Sequence, residues 1–355
     1  MIAAVFEPRK KQAFSMRSLF PRYLLCCLAI VLFSPSSEGF GEALSLKKVV
    51  KIWEKAPHNA FTDLIRFKGQ WICVFREGKG HVSPDGRLRV IGSAEGHEWQ
   101  SLAVLDHPKA DLRDAKICLT PGGDLMLSGA AAWHDQGPHT HQTLAWYSDD
   151  GENWTEAQAI GEPDLWLWRT NWDGDLGLGI GYKTRGERFV RLYQTGDGRR
   201  FEVKQARLFE DGYANESSIV FDDEVAYCLL RRDGEASSAQ WGKAKRPFLD
   251  WQWTDMGVRL GGPHMVKMRS GRIYAVVRLY DGGARTSVCR IEKPTGKLIE
   301  VLPLPSGGDT SYAGIVDFQG QLWISYYSSH ENKTAIYLAI VDVLDDAKGL
   351  VRPSR

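Results

Sequence analysis

Repetition is the feature that most constrains this chain. Beyond an N-terminal leader, six similar units follow one another, each about 50 residues long, a period suited to propeller blades. The first strands begin near Phe61, Ala115, Trp166, Glu216, Pro263 and Tyr312. Each leads through a short turn into a second apolar strand: WICVFRE, DLMLSGA, DLGLGIGY, VAYCLLRR, RIYAVVRL and LWISYY. Weaker third and fourth strands follow, such as LRVIGS, TLAWYS, VRLYQT, SVCRIE and AIYLAIV. No amphipathic helix of useful length interrupts them. Short strands of regular spacing bounded by glycine turns predict an all-β chain, and the period predicts a closed six-bladed β-propeller rather than a sandwich.

The leader covers residues 1–41. Arg17 and Arg22 precede an apolar run over 23–33, and small or polar residues follow it. This is the pattern of a secretory signal peptide, and the run is short for a membrane span. Residues 42–355 then form one propeller domain, secreted or periplasmic, with no membrane span in the mature chain and a monomer expected. The whole chain carries a formal net charge of +1, and loss of the leader leaves it slightly acidic. Neither state has the basic excess of a nucleic-acid binder, so an anionic ligand must be held by local arginines. Four cysteines remain beyond the leader, Cys73, Cys118, Cys228 and Cys289, each inside an apolar strand of a different unit. That placement predicts buried free thiols. His134, Asp135, His139 and His141 share a polar loop, but their spacing matches no metal template. Neither a metal nor another cofactor is expected.

Register carries the chemistry. In YANESSIVFDDEVAYCLLRRDG, over 213–234, Glu216 and Arg231 stand at the open ends of two strands joined by an acidic turn. Antiparallel pairing brings such ends together. Counted from the last turn residue, Glu224, Glu216 lies eight before and Arg231 seven after. Counted from the turn glycines of other hairpins, Arg76, Arg278 and Tyr327 also fall seven after, and Tyr312 eight before. Arranged about an axis, these side chains converge on it.

A second repeat lies at the far turns. Ser93 to Trp99, Ser148 to Trp154 and Thr195 to Phe201 share the form Ser/Thr, any, Asp/Glu, Gly, any two, aromatic. The hydroxyl and acid can accept backbone amides of a tight turn, the glycine permits a positive φ, and the aromatic pins the turn to the core. These segments resemble the Asp-boxes of the sialidase (neuraminidase) superfamily, a family of six-bladed β-propellers. The resemblance spans nearly all of the chain beyond the leader.

In that family a tyrosine assisted by a glutamate attacks the anomeric carbon, an arginine triad holds the substrate carboxylate, and an aspartic acid protonates the leaving group. The resemblance implies Tyr312, in GDTSYAGIV, as nucleophile, and Glu216 with Arg231 as its glutamate and one triad arginine. The assignment is chemically sensible. A substrate that bears its own carboxylate repels an anionic nucleophile but not a phenol, whose proton a neighbouring carboxylate can take. A guanidinium fork suits the carboxylate. Arg278 by register or Arg285 by topology is the next clamp residue. The family's first arginine motif is missing, because Asn59-Ala60-Phe61-Thr62 stands there; Arg76 or Arg113 is expected to reach that space. Asp85 or His81, in the loop GKGHVSPDGR, is the expected acid. Trp168 and Arg169 are expected at the substrate rim with Tyr327.

The sequence thus predicts a hydrolase of terminal sialic acid or a related acidic sugar on a glycan, retaining through a tyrosyl intermediate. Two alternatives stand beside it. One is a glycan-binding propeller without catalysis, and the other is an enzyme on a uronate-type glycan.

Overall fold

A computed structural model describes residues 43–135, 137–235 and 237–344. The expected leader lies outside the described residues. Those residues contain 23 strands and no helix, and so no helix long and apolar enough to cross a membrane.

The strands group as antiparallel sheets. β1 (Ala43–Trp53) leads in. The first unit is β2 (His58–Phe67), β3 (Gln70–Gly78), β4 (Arg87–Ser93) and β5 (Gln100–Leu105). The second is β6 (Ala110–Leu119), β7 (Leu125–Trp133), β8 (His141–Ser148) and β9 (Gln158–Ile160). The third is β10 (Leu165–Asp173), β11 (Leu176–Lys183), β12 (Val190–Thr195) and β13 (Glu202–Phe209). The fourth is β14 (Tyr213–Asp222), β15 (Val225–Asp233), β16 (Ser238–Lys245) and the start of β17 (Gln252–Lys267). That long strand pairs with β16 through its first half and with β18 (Ile273–Leu279) through its second. It therefore also opens the fifth unit, which continues with β19 (Arg285–Glu292) and β20 (Lys297–Pro303). The sixth is β21 (Thr310–Phe318), β22 (Gln321–Ser328) and β23 (Ala335–Leu344), completed by β1 on the outer edge of β23. The described residues form an all-β six-bladed propeller.

Burial explains why the units stack. The inner strands are covered on both faces, as in β2 and β14, whereas the outer strands β5, β13 and β20 are largely open to solvent. Apolar clusters fill each junction in turn. Val74 and Leu88 meet Leu112 and Leu127, and Met126 and Tyr147 meet Leu167 and Tyr193. Leu178 and Ile180 meet Ile219 and Cys228, and Leu229 and Trp241 meet Ala275 and Cys289. Val276 and Val288 meet Ile315 and Ile324. Finally Leu64 and Cys73 meet Trp323 and Leu338, which joins the last unit to the first. No unit covers its own faces, and closing the ring buries all of them. The four cysteines among the described residues are free thiols, three of them buried as expected and Cys118 only partly so.

The repeated far turns behave as their chemistry predicts. The Ser148 hydroxyl accepts the Gly151 amide at 2.8 Å, and the Asp150 carboxylate accepts the amides of Glu152 and Asn153 at 2.8 and 2.7 Å. Thr195 and Asp197 repeat the pattern with Gly198, Arg199 and Arg200. In the first copy Ser93 accepts the Gly96 amide at 2.8 Å.

The seam between the first and last units rests on Trp71, stacked on Trp323 with ring centroids 4.3 Å apart and an interplanar angle of 14°. Trp71→Ala should therefore lower the unfolding free energy by about 3–5 kcal/mol. Urea denaturation would show this as a lower midpoint with an unchanged slope.

Candidate active site

Every inner strand departs from regular pairing at the same place. Two residues on the inner strand face one on its partner, at Phe61-Thr62, Asp114-Ala115, Trp168-Arg169, Asn215-Glu216, Gly262-Pro263 and Tyr312-Ala313. Each is a two-for-one β-bulge, which bends a strand and re-aims its side chains. Phe61, Asp114 and Tyr312 have φ of 61°, 52° and 48° there. Holding a non-glycine residue in this left-handed region costs about 1–3 kcal/mol, and such strain gathers at functional sites. Gly262 has φ 56°, and a Cβ on it would come within 3.0 Å of the Tyr312 ring. A side chain there would have to push the ring aside from a strained backbone.

The bulges bring Tyr312 and Glu216 together. The Tyr312 hydroxyl donates to Glu216 Oε1 at 2.6 Å and accepts from Arg231 Nη1 at 2.9 Å. The same Nη1 lies 2.7 Å from Glu216 Oε1, closing a triangle. The other glutamate oxygen accepts the Gly262 amide at 2.9 Å. Arg231 Nη2 pairs with Asp233 at 3.0 Å. Burial and then the nearby Glu216 push the Tyr312 hydroxyl well above its ordinary value, while Arg231 and Arg278 pull the other way. A neutral phenol held against a carboxylate has a proton acceptor already in contact.

The rest of the pit is aromatic and charged. Phe61 meets Tyr312 edge-on at 5.0 Å, and the Trp168 ring lies 6.0 Å away. The Arg278 guanidinium lies 5.3 Å from the Tyr312 ring centroid. It donates to the Thr310 carbonyl at 2.6 Å and the Tyr327 hydroxyl at 2.9 Å. Tyr327 in turn donates to Asp309 Oδ1 at 2.8 Å. Burial alone would raise the Asp309 carboxyl, but hydrogen bonds from His58, His81 and Tyr327 hold it far below the usual range.

Of the expected residues, Tyr312, Glu216, Arg231, Arg278, Tyr327 and Trp168 therefore stand together. His81 reaches the same mouth, edge-on to Phe61 at 5.0 Å. The others are placed differently. Arg76 is fully buried. Its guanidinium is committed to Asp111, the Leu112, Gly80 and Ser83 carbonyls and the Ser83 hydroxyl. It is a strut to the second unit, not a clamp. Arg169 lies beneath the pit in a buried 2.6 Å ion pair with Asp63, which also accepts the Ile117 amide. Arg285 faces outward to Glu300 and Asp281, so Arg278 is the arginine its unit contributes. Arg113 is held by Asp111 at 2.6 Å and remains partly exposed. Asp85 is exposed and accepts the Lys79 amide within its own loop. Against a pull from burial, hydrogen bonds from Ser83 and that amide hold its carboxyl below its ordinary value, which ill suits a proton donor.

Sequence reading missed Asp114. It occupies the same bulge position in the second unit as Tyr312 in the sixth, is buried, and leaves Oδ1 without a hydrogen-bond partner. Burial pushes its carboxyl up to about 6; Lys116 pulls it down and Glu216 adds to the rise. Lys116 itself is pushed by burial down to about 8, and its ammonium lies 4.5 Å from the Trp168 ring centroid. The apolar spacing of AKICLT gave no sign of Asp114, because the strand was expected to start one residue later.

No protein-family model matches the chain, and no curated protein matches it by sequence. By structure it is similar to a protein of unknown function from Dyadobacter fermentans, at 15% identity and a TM-score of 0.76, over 85% of this chain and 100% of that one. Trypanosoma rangeli sialidase is similar at 10% identity and a TM-score of 0.65. That likeness covers 84% of this chain but 60% of the sialidase, so this chain spans only part of that protein's length. Penicillium chrysogenum α-L-arabinanase, solved with arabinobiose, is similar at 12% identity and a TM-score of 0.64, over 84% and 99% of the two chains. The fold is that of the β-propellers to which these glycoside hydrolases belong.

Asp114 generates a test with a defined sign. Its carboxyl stands at about 6 against an ordinary 3.8, so between those values the folded state binds more protons than the unfolded one. Stability contributed by this group is lost as pH rises through that window. Asp114→Asn should raise the urea midpoint at pH 8 relative to wild type and bring no such gain at pH 4.

Proposed function

We propose that this chain is an exported, retaining exo-glycoside hydrolase that removes a terminal acidic sugar, of the sialic acid kind, from a glycan. The observation that carries the reading is the 2.6 Å hydrogen bond from Tyr312 to Glu216, closed by Arg231. As the phenol oxygen bonds to the anomeric carbon, its proton passes to Glu216, and the glycosidic bond breaks. Arg231 stabilises the departing phenolic charge and, with Arg278, faces the sugar carboxylate. Asp114 is the acid that protonates the leaving oxygen. It then takes a proton from the water that releases the sugar, and the proton on Glu216 returns to the departing Tyr312 oxygen. Phe61 and Trp168 supply apolar faces for the ring.

A second reading has an observation of its own. Arg231 already pairs with Glu216 and Asp233, and Arg278 is engaged by Thr310 and Tyr327. If both stay so engaged, no guanidinium is free for a substrate carboxylate. Glu216 is then the nucleophile on a neutral sugar, and Tyr312 with Arg231 orients it.

The two readings predict different adducts. A fluorogenic sialoside and an arabinofuranoside would be assayed first, and the protein then treated with the matching activated sugars that carry fluorine on the carbon next to the anomeric one, and digested for mass spectrometry. The first reading expects a sialosyl adduct on Tyr312 and a Tyr312→Phe variant slower by roughly 100-fold or more. An adduct on Glu216 selects the second reading. Glycan binding without turnover of either substrate would rule out both.

A further inference from the structure

We infer that His58, His81 and Asp309 form a binding site for a borderline divalent cation such as Zn²⁺ at the mouth of the pit. His58 Nε2 lies 3.0 Å and His81 Nδ1 2.7 Å from the same oxygen, Asp309 Oδ2. The three donor atoms all lie within 4.8 Å of one another. A cation held at about 2.0–2.2 Å from imidazole nitrogen and carboxylate oxygen brings such donors about as close together as they already are. Two imidazoles and one carboxylate suit zinc, cobalt or nickel, and are a poor set for calcium or magnesium, which take oxygen ligands.

The surroundings favour a site over a chance contact. Asp309 is oriented by Tyr327, whose hydroxyl takes its other oxygen at 2.8 Å and leaves Oδ2 turned toward the imidazoles. A ligating carboxylate is usually held in this way by a hydrogen bond from an outer group. His58 opens β2 with its side chain only 9% exposed, and its ring packs against Phe61 and Tyr327. His81 is 51% exposed on the loop after β3, so one side of the cluster is open to water or a sugar oxygen. Open coordination of this sort distinguishes sites that meet a ligand from closed structural ones. Phe61 touches both His81 and Tyr312 at 5.0 Å, so the cation stands one ring from the phenol. The first unit brings no arginine to this wall, because Arg76 is turned into the second unit. One charge opposes the cation: Arg278 Nη2 is 3.6 Å from Asp309 Oδ1. The site therefore binds more weakly than a closed structural zinc centre. The two histidines lie 251 and 228 residues from Asp309, which is why no spacing pattern announces the site.

The inference is independent of the reaction assigned to Tyr312, because its test reads binding alone. The full chain would be stripped with a chelator and titrated with Co²⁺ while visible absorption is followed. Zn²⁺, Ca²⁺ and Mg²⁺ would then be added as competitors. His81→Ala is at an exposed position, and Asp309→Asn keeps the side-chain shape. Near-ultraviolet circular dichroism would confirm that both variants fold. The expected result is a one-to-one cobalt complex with visible bands, displaced by Zn²⁺ but not by Ca²⁺ or Mg²⁺, and weakened at least tenfold by each variant. Absence of those bands in wild type would show a hydrogen-bonded His-Asp-His cluster and nothing more. Affinity unchanged in both variants would place the cation elsewhere. Either result overturns the proposal.

Discussion

The pit depends on one local irregularity, the two-for-one bulge repeated in all six inner strands. Regular strands alternate their side chains between faces, and here both faces are occupied by neighbouring units. Unbroken pairing would bury Tyr312 and Glu216 between units along with Ile315 and Ile219. The bulge interrupts that alternation where the strands approach the axis. It also frees backbone groups that the site then uses, as when the Gly262 amide turns to Glu216 and the Thr62 hydroxyl donates to the Tyr312 carbonyl at 2.9 Å. The strain at Phe61, Asp114 and Tyr312 is offset by apolar clusters that run without a break around the ring.

The bulge also explains what could and could not be read from the sequence. Strand content, unit number and turn chemistry were legible, because alternation and glycine placement are local. Strand beginnings were placed too late. His58, Ala110 and Tyr213 open their strands upstream of Phe61, Ala115 and Glu216, since the hydrophobic period breaks at the bulge and resembles an end. Register counted from the turns was therefore sound only where the turn-to-bulge distance is constant. It is one residue longer in the fourth unit, so Arg231 lies opposite the bulge, while Arg232 holds the position of Arg76 and Arg278. Arg76 and Arg278 do share a role, since each Nε reaches the next unit's inner strand, at Leu112 and Thr310. Only Arg278 also extends toward the phenol. Asp114, His58 and Asp309 could not be placed from sequence, because their partners come from other units.

Charge within the site is balanced pair by pair. Arg231 faces Glu216 and Asp233, Arg169 faces Asp63, and Arg76 and Arg113 share Asp111. A buried charge without a partner is costly, so each guanidinium near the axis arrives with a carboxylate. Asp114 departs from that pattern, its Oδ1 without a hydrogen-bond partner, and Arg278, held by a carbonyl and a phenol, reaches its carboxylate, Asp309, only at 3.6 Å. Those two groups have the most to gain from a ligand that completes their surroundings.

β1 has a consequence for how the chain matures. It pairs with β23 from Ala43 opposite Leu344 to Trp53 opposite Ile336, so the earliest described strand waits for the last before its hydrogen bonds can form. Contacts so distant along the chain are slow to form and cannot nucleate folding. During synthesis β1 stays unpaired while the middle units assemble, and the ring closes only once β23 is made. A ribosome stalled before β23 would carry a chain still accessible to chaperones and proteases, and the arrival of that strand is the event that latches the molecule.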